Sequence, residues 1–291
     1  MEFKEFVVIV QEQLQKKTGK EVVITEVTKN NDVKITGLTI RETNSNLSPT
    51  IYLKPFWYQF LMSYDVDMVA DRLYEVYLRD NIAHSINIGW FRNFEEVKGK
   101  IAFKLINFNK NRALLKQVPH VKYMDLAKVF YVLVEDESFG TGTILIHNRH
   151  MEVWNTSAEE LEEIAKQNTP MLCPMVLRTL KDMVEDMGFI EEEWNFNEII
   201  YVLTNKEKQL GASAMLYDNS IKMFAEMVQS DVIILPSSIH EVLLLSANTK
   251  LSVEYLCEVV REVNKKKVRP EEFLSNTLYY YDRESDSIKM L

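Results

Sequence analysis

Residues 201–245 constrain the fold more than any other stretch, because several sequence patterns follow one another there at short intervals. A β-rich run opens the stretch, followed by the small residues Gly211–Ala214 and then by apolar residues at helical spacing. Two apolar runs, Val232–Leu235 and Val242–Leu245, flank the polar sequence PSSIHE at 236–241. This order of strand, tight turn, helix and two further strands is typical of an α+β domain.

The rest of the chain also predicts an α+β fold, with mixed or antiparallel sheets and packed amphipathic helices. A helical pattern ends before Gly19, and residues 22–41 have the β-rich runs and turn residues of a hairpin. A second hairpin is predicted at 126–146, where an almost wholly apolar run typical of a buried strand is followed by a glycine-bearing turn. The apolar phase shifts across Gly37, which predicts a β-bulge or a bend there. A later helix is predicted by five residues on one face: Val253, Leu256, Cys257, Val260 and Val263.

The patterns predict two sheet-bearing halves. Residues 1–118 form an N-terminal α+β region of helix, hairpin and helices, and residues 119–291 form a C-terminal α+β region with the GASAMLY and PSSIHE segments. The boundary rests on a turn at QVPH. Because no linker rich in Pro, Gly or Ser separates the halves, one continuous domain is the alternative.

Composition narrows the classes of partner. The formal net charge of -9 disfavours binding to nucleic acid or to an anionic membrane, since both gain affinity from Lys and Arg. The one dense basic cluster, at 265–269, is interpreted as cations at a helix end. The two cysteines and the acidic start of the chain favour a cytoplasmic protein. No motif calls for a cofactor.

The PSSIHE segment supplies the candidate catalytic residues Ser238, His240 and Glu241. A hydroxyl and an imidazole on one strand face can activate a nucleophile, with Glu241 on the opposite face. The alternative is a turn whose serines, Ser237 included, bind backbone amides. No G-x-S-x-G elbow accompanies the segment.

Further candidates are partner-binding or metal-binding residues. Asn205 and Ser213 lie in the central stretch, and Ser213 belongs to small residues that either pack closely or admit an anion. Trp57 and Tyr58 belong to an aromatic region interpreted as core or as a binding groove. His147 and His150 are weak metal candidates, because their spacing of three is not that of H-E-x-x-H, so no metal is expected.

Four segments resemble domain of unknown function 5688, a family of bacterial proteins from Gram-positive gut anaerobes. They are LTIRETNSNLSPTIYL, the span 109–134, YVLTN with GASAMLY, and ILPSSIHEVLLL. The resemblance covers nearly the whole chain and implies a shared fold, but it brings no activity. The order of elements in the C-terminal half is more loosely similar to domain of unknown function 1444.

Two hypotheses about function follow. The first is a non-catalytic binding or regulatory protein that recognises a protein or a small ligand through PSSIHE and the aromatic region. The alternative is a hydrolase-like enzyme that uses Ser238, His240 and Glu241, assisted by His147 or Asn205. They differ in whether these side chains converge within hydrogen-bond reach in a pocket.

Overall fold

The computed structural model describes residues 1–41, 50–80, 89–136, 140–186 and 199–291. Helices and antiparallel sheets make up these residues, which confirms the α+β class. Much of the segment LTIRETNSNLSPTIYL, residues 42–49, lies outside the described residues. No helix in these ranges is long and apolar enough to cross a bilayer.

The chain divides into two compact units, and the first comprises residues 1–90 with 136–140. Three strands form an antiparallel sheet in chain order, and the apolar sides of the helices contribute to one buried core. Asp65 caps the helix that begins at Val66, because its carboxylate accepts the Met68 N–H at 2.9 Å. The elements are α1 (Phe3–Thr18), β1 (Val22–Thr28), β2 (Lys34–Ile40), β3 (Thr50–Tyr52), α2 (Lys54–Ser63) and α3 (Val66–Asp80).

The bulge expected at Gly37 is wrong. β1 and β2 pair without interruption from Val22 with Ile40 to Thr28 with Lys34. Instead, the absence of a side chain at Gly37 allows β3 to approach closely, because a Cβ there would lie 2.9 Å from the carbonyl oxygen of Ile51. A glycine inside a strand pattern can therefore indicate either a bulge or the close approach of a neighbouring strand.

The second unit comprises residues 91–135 and 141–291. The remaining elements lie in this unit, except for the last residue of β6, Asp136, and the first residue of β7, Gly140. They are α4 (Phe94–Lys98), β4 (Ile101–Asn107), α5 (Arg112–Leu115), β5 (His120–Tyr123), β6 (Leu126–Asp136), β7 (Gly140–Leu145), α6 (Asn148–Trp154), α7 (Ala158–Leu172), β8 (Met175–Thr179), α8 (Leu180–Asp186), β9 (Tyr201–Asn205), α9 (Ser220–Val228), β10 (Val232–Pro236), β11 (Val242–Ser246), α10 (Val253–Lys266), β12 (Tyr279–Asp282) and β13 (Ser287–Met290).

Two antiparallel sheets organise this unit. In one, β6 pairs with β4, β5 and β7; the other has the strand order β13-β12-β10-β11-β9-β8. β4 pairs with β6 along its whole length, so residues on both sides of 118/119 share one sheet. The compact units divide at 90/91. The boundary predicted from the sequence lies at 118/119.

The central stretch takes the predicted order of strand, small-residue turn, helix and two strands. β9 leads to a 3₁₀ segment at Gly211–Leu216, then to α9, β10 and β11. β10 and β11 pair as a hairpin that ends at Pro236 opposite Val242. The polar residues of PSSIHE therefore lie at the tip of a hairpin at the centre of the larger sheet.

Candidate functional site

Residues 237–241 form the turn between β10 and β11, and their own polar groups close it. The Ser238 N–H donates to the carbonyl oxygen of Glu241 at 3.2 Å. The Ser238 Oγ accepts the backbone N–H of His240 at 3.0 Å. A serine that binds a nearby backbone amide is the turn chemistry that the sequence offered as the alternative to a strand face.

Both serine hydroxyls of this turn donate to one carboxylate. Ser237 Oγ lies 3.0 Å and Ser238 Oγ 2.8 Å from Glu241 Oε1. The expectation that Glu241 faces away from Ser238 rests on strand alternation, and it is wrong because these residues form a turn. Glu241 therefore binds the two hydroxyls and fixes their orientation.

The imidazole of His240 is held between a backbone amide and a second carboxylate. Its Nδ1 accepts the Leu210 N–H at 3.2 Å, so in the neutral ring the hydrogen is assigned to Nε2. Nε2 lies 3.8 Å from Glu272 Oε1, which also lies 3.7 Å from the Arg269 guanidinium. Ser238 directs its hydroxyl to Glu241 and His240 directs Nδ1 to Leu210, so the bonds made here differ from those of a serine–histidine dyad.

β9 and the small-residue turn after it fix the backbone of this site. Thr204 Oγ1 donates to the carbonyl oxygen of His240 at 2.8 Å, and the Ala212 N–H donates to that of Ile239 at 3.3 Å. A Cβ on Gly211 would lie 2.4 Å from Thr204 Oγ1 and 2.6 Å from the His240 oxygen. Only glycine allows this approach, which explains how GASAMLY and PSSIHE come together.

Asn205 and Ser213 stabilise the same turn from inside. The Asn205 side chain donates to the Gln209 carbonyl oxygen at 2.7 Å and accepts the Gln209 N–H at 3.1 Å. Ser213 Oγ donates to the carbonyl oxygen of Leu210 at 3.0 Å. Both residues are buried. The hydrogen bonds of these two candidates thus position Leu210, whose N–H in turn orients His240.

An open cleft of about 390 Å³ lies beside the turn. Its ionisable side chains have both signs, since two lysines and a histidine face the cleft together with two glutamates. Val263 and Val268 add a small apolar part. The lining residues are Lys208, Ser237, Ser238, His240, Glu241, Val263, Lys267, Val268 and Glu272. Four of the sequence candidates, Ser237, Ser238, His240 and Glu241, therefore share one cleft.

Sequence reasoning missed Lys208, Lys267 and Glu272 as members of this cleft. Lys267 follows α10 in the basic cluster that was interpreted as a helix end, and Glu272 lies in the segment before β12. Glu272 has one local signal, because Arg269 lies three residues before it. Nothing in the sequence links Lys267 or Glu272 with PSSIHE, because only the fold makes these residues neighbours.

His147 and His150 lie elsewhere, at the start of α6. His150 Nδ1 accepts the backbone N–H of His147 at 3.1 Å, as in a capping box. Burial, followed by the positive charge of Arg149, lowers the pKa of both imidazoles below its ordinary value. Within the described ranges, no group of three or more His, Cys, Asp or Glu residues is placed to hold a metal ion.

Trp57 and Tyr58 belong to the first unit, on α2. The Trp57 ring packs against Phe3, Phe6 and Phe60 with centroid distances of 5.2–5.6 Å. Tyr58, the next residue, is 54% exposed. In the aromatic region, Trp57 therefore packs half-buried against the core, whereas Tyr58 lies at the surface.

Comparison with known proteins gives one family. The sequence model of DUF5688, described as a family of unknown function, matches residues 3–283 of the 291-residue chain. No curated protein and no solved structure matches the chain. Because the match covers nearly the whole chain, as the four segments implied, the protein belongs to the DUF5688 family.

Proposed function

We propose that the protein is a non-catalytic binding protein, and that the cleft beside residues 237–241 holds a small ligand with both a negative and a positive group. The observation that carries the proposal is the mixed charge of the lining. Lys208 and Lys267 suit a carboxylate, and Glu272 suits an ammonium group. A volume of about 390 Å³ matches a small metabolite.

The hydrogen bonds of the turn favour binding over hydrolysis. A serine nucleophile requires a base within hydrogen-bond reach that is itself oriented by a third group. The Ser238 hydroxyl donates to Glu241, and the imidazole of His240 is oriented by Leu210. These bonds preorganise polar groups around a ligand, which lowers the entropic cost of binding.

We propose that the protein is located in the bacterial cytoplasm. Two free cysteines, Cys173 buried and Cys257 half-buried, support a reducing compartment. The bacterial source rests on the family resemblance alone. Neither nucleic acid nor membrane is proposed as a partner, on the ground of the acidic net charge.

A thermal-shift panel tests the charge requirement. The probes are free α-amino acids, their N-acetyl derivatives, which keep only the carboxylate, and their amides, which keep only the ammonium group. We expect some free amino acids to raise the melting temperature, because a ligand that binds only the folded state stabilises it. Neither one-charge derivative of the same amino acid should do so. Equal shifts with all three forms would contradict the proposed ligand class.

Hydrolysis of p-nitrophenyl acetate tests the alternative. We expect Ser238→Ala to hydrolyse this ester at the same rate as the unsubstituted protein and the matched variant Ser237→Ala. Loss of activity in Ser238→Ala alone would identify Ser238 as a nucleophile and would replace the binding proposal with a hydrolase. Retained folding of each variant is checked by circular dichroism.

A further inference from the structure

The outward side of α2 presents large apolar side chains to solvent. Tyr58, Leu61 and Met62 have i, i+3, i+4 spacing and therefore share one side of the helix. Met62 is 87% exposed, and Tyr64, in the turn after α2, is 78% exposed. Met68, in the first turn of α3, is also exposed. We call these five residues the α2 surface.

The opposite side of α2 is fixed in the core of the first unit. Phe56 and Phe60 are buried there, and the half-buried Trp57 packs against two aromatic rings of α1. The exposed side chains therefore extend from a firmly anchored helix. A contiguous exposed apolar patch on such a helix is typical of a protein interaction site.

An acidic cleft of about 580 Å³ adjoins the α2 surface, and Met68 belongs to both. Four carboxylates and one guanidinium line it. Two of the carboxylates accept hydrogen bonds from neutral donors, Asp65 from the Met68 N–H at 2.9 Å and Asp67 from Gln13 Nε2 at 2.6 Å. Their negative charge is therefore available to attract a cation. The lining residues are Gln59, Asp65, Asp67, Met68, Asp71, Arg72 and Glu75.

We propose that the α2 surface docks an amphipathic helix of a partner protein whose apolar face is flanked by lysine or arginine. Met and Tyr suit such a partner, because methionine adapts to different apolar shapes and tyrosine gives a large contact area. The carboxylates beside Met68 then select the cationic flank and accelerate encounter. The same charges repel an anionic membrane and a second copy of this surface.

A labelled model peptide tests the proposal on the full chain. The probe is an amidated peptide of about 18 residues, or five helical turns, with leucine on one face and lysine on the other. Its matched control replaces every lysine with glutamate. Fluorescence anisotropy should show that the lysine peptide binds and that added salt weakens it. The glutamate peptide should bind at least about tenfold more weakly.

Two double variants assign the binding to the surface. Tyr58→Ser/Met62→Ser should weaken binding of the lysine peptide by about tenfold or more, since apolar anchors carry most interface energy. Asp65→Asn/Asp67→Asn keeps the hydrogen-bond acceptors of both residues and should reduce the salt dependence. Met223→Ser/Met227→Ser, which makes the same chemical change at two exposed methionines of α9, should bind like the unsubstituted protein.

Several results would overturn the proposal. Equal affinity for the lysine and glutamate peptides would remove the role of the acidic cleft. An equal loss of affinity in the α9 variant would show adsorption to any exposed methionine. If sedimentation shows a dimer that dissociates in the Tyr58→Ser/Met62→Ser variant, the occupant of the α2 surface is a second copy of the chain. Binding to phosphatidylglycerol vesicles that the same variant abolishes would make a membrane the occupant.

Discussion

Gly211 is the residue on which the geometry of the cleft most depends. Alanine at this position would place its Cβ 2.6 Å from two backbone atoms, the nitrogen of Asn205 and the oxygen of His240. Backbone atoms of a paired strand and a closed turn cannot move aside as a flexible side chain can. The turn after β9 would therefore have to separate from residues 237–241.

We predict that Gly211→Ala lowers the free energy of unfolding by about 1–3 kcal/mol or more, as overpacking of a filled site does. Urea unfolding measures this change. Gly99→Ala is the matched control, because φ at Gly99 is -69° and no atom lies within 4 Å of the added Cβ. Equal stability of the two variants would show that the close approach at Gly211 is not required.

His147 is the N-cap residue of α6, and His150 lies in the first turn of this helix. Burial is the main cause that lowers the pKa of both imidazoles, and Arg149 adds to it. The folded state therefore binds fewer protons than the unfolded state below about pH 6.5, the ordinary pKa of histidine. Stability from these groups is fully present above that pH and is lost as the pH falls through the lowered folded-state pKa.

The double variant His147→Asn/His150→Gln keeps capping groups, since Asn is a strong N-cap and Gln suits the third position of a capping box. We expect its unfolding free energy to fall less than that of the unsubstituted protein between about pH 7.5 and 5.5. Urea unfolding at several pH values measures the difference. An unchanged dependence on pH would mean that these two imidazoles do not account for it.

Elements could be predicted from the sequence where their signals are local. Ser157 caps α7 and Asp65 caps α3, as their positions before apolar periodicity indicate. The spacing of Val176, Leu180 and Met183 predicts a helix. This prediction is wrong at its start, because Met175–Thr179 pairs with β9 as a strand. The apolar residues fit both patterns, and the pairing partner, distant in sequence, decides between them.

In the second unit, Asp125 connects the four-stranded sheet to β12 and to the segment before it. It lies in the turn between β5 and β6, and its carboxylate accepts the hydroxyls of Ser275 at 2.5 Å and of Tyr279 at 2.7 Å. Ser275 and Tyr279 are fully buried, and burial, followed by the charge of Asp125, raises the pKa of Tyr279. Two sheets are thus joined by one carboxylate.

We predict that Asp125→Ala lowers the free energy of unfolding by about 2–4 kcal/mol, because each buried hydroxyl donor that loses its acceptor costs about 1–3 kcal/mol. Asp231→Ala is the matched control, since Asp231 also accepts two hydrogen bonds, from the half-buried Tyr280 hydroxyl at 2.7 Å and from the exposed Arg283 N–H at 2.9 Å. Chemical denaturation should show the smaller loss for Asp231→Ala. The reverse order would contradict the proposed role of Asp125 in joining the two sheets.

The fold of the chain determines which residues line the cleft, and only some of them could be predicted from the sequence. Ser237, Ser238, His240 and Glu241 are neighbours in the chain, so their grouping could be predicted. Lys208 approaches them through the pairing of β9 with β11, and Lys267 and Glu272 through the course of the chain after α10. No local pattern contains that information. The charge of the cleft, on which the proposed ligand depends, is therefore a property of the fold.

Isothermal titration calorimetry tests the claim that a ligand with both charges binds in this cleft. The titrant is the amino acid that gives the largest thermal shift. The double variant Lys267→Gln/Glu272→Gln should bind about 100-fold more weakly, at about tenfold for each lost charged contact. Lys265→Gln/Glu271→Gln changes neighbouring residues outside the cleft lining and should bind like the unsubstituted protein. Equal affinity of the two double variants would contradict the claim.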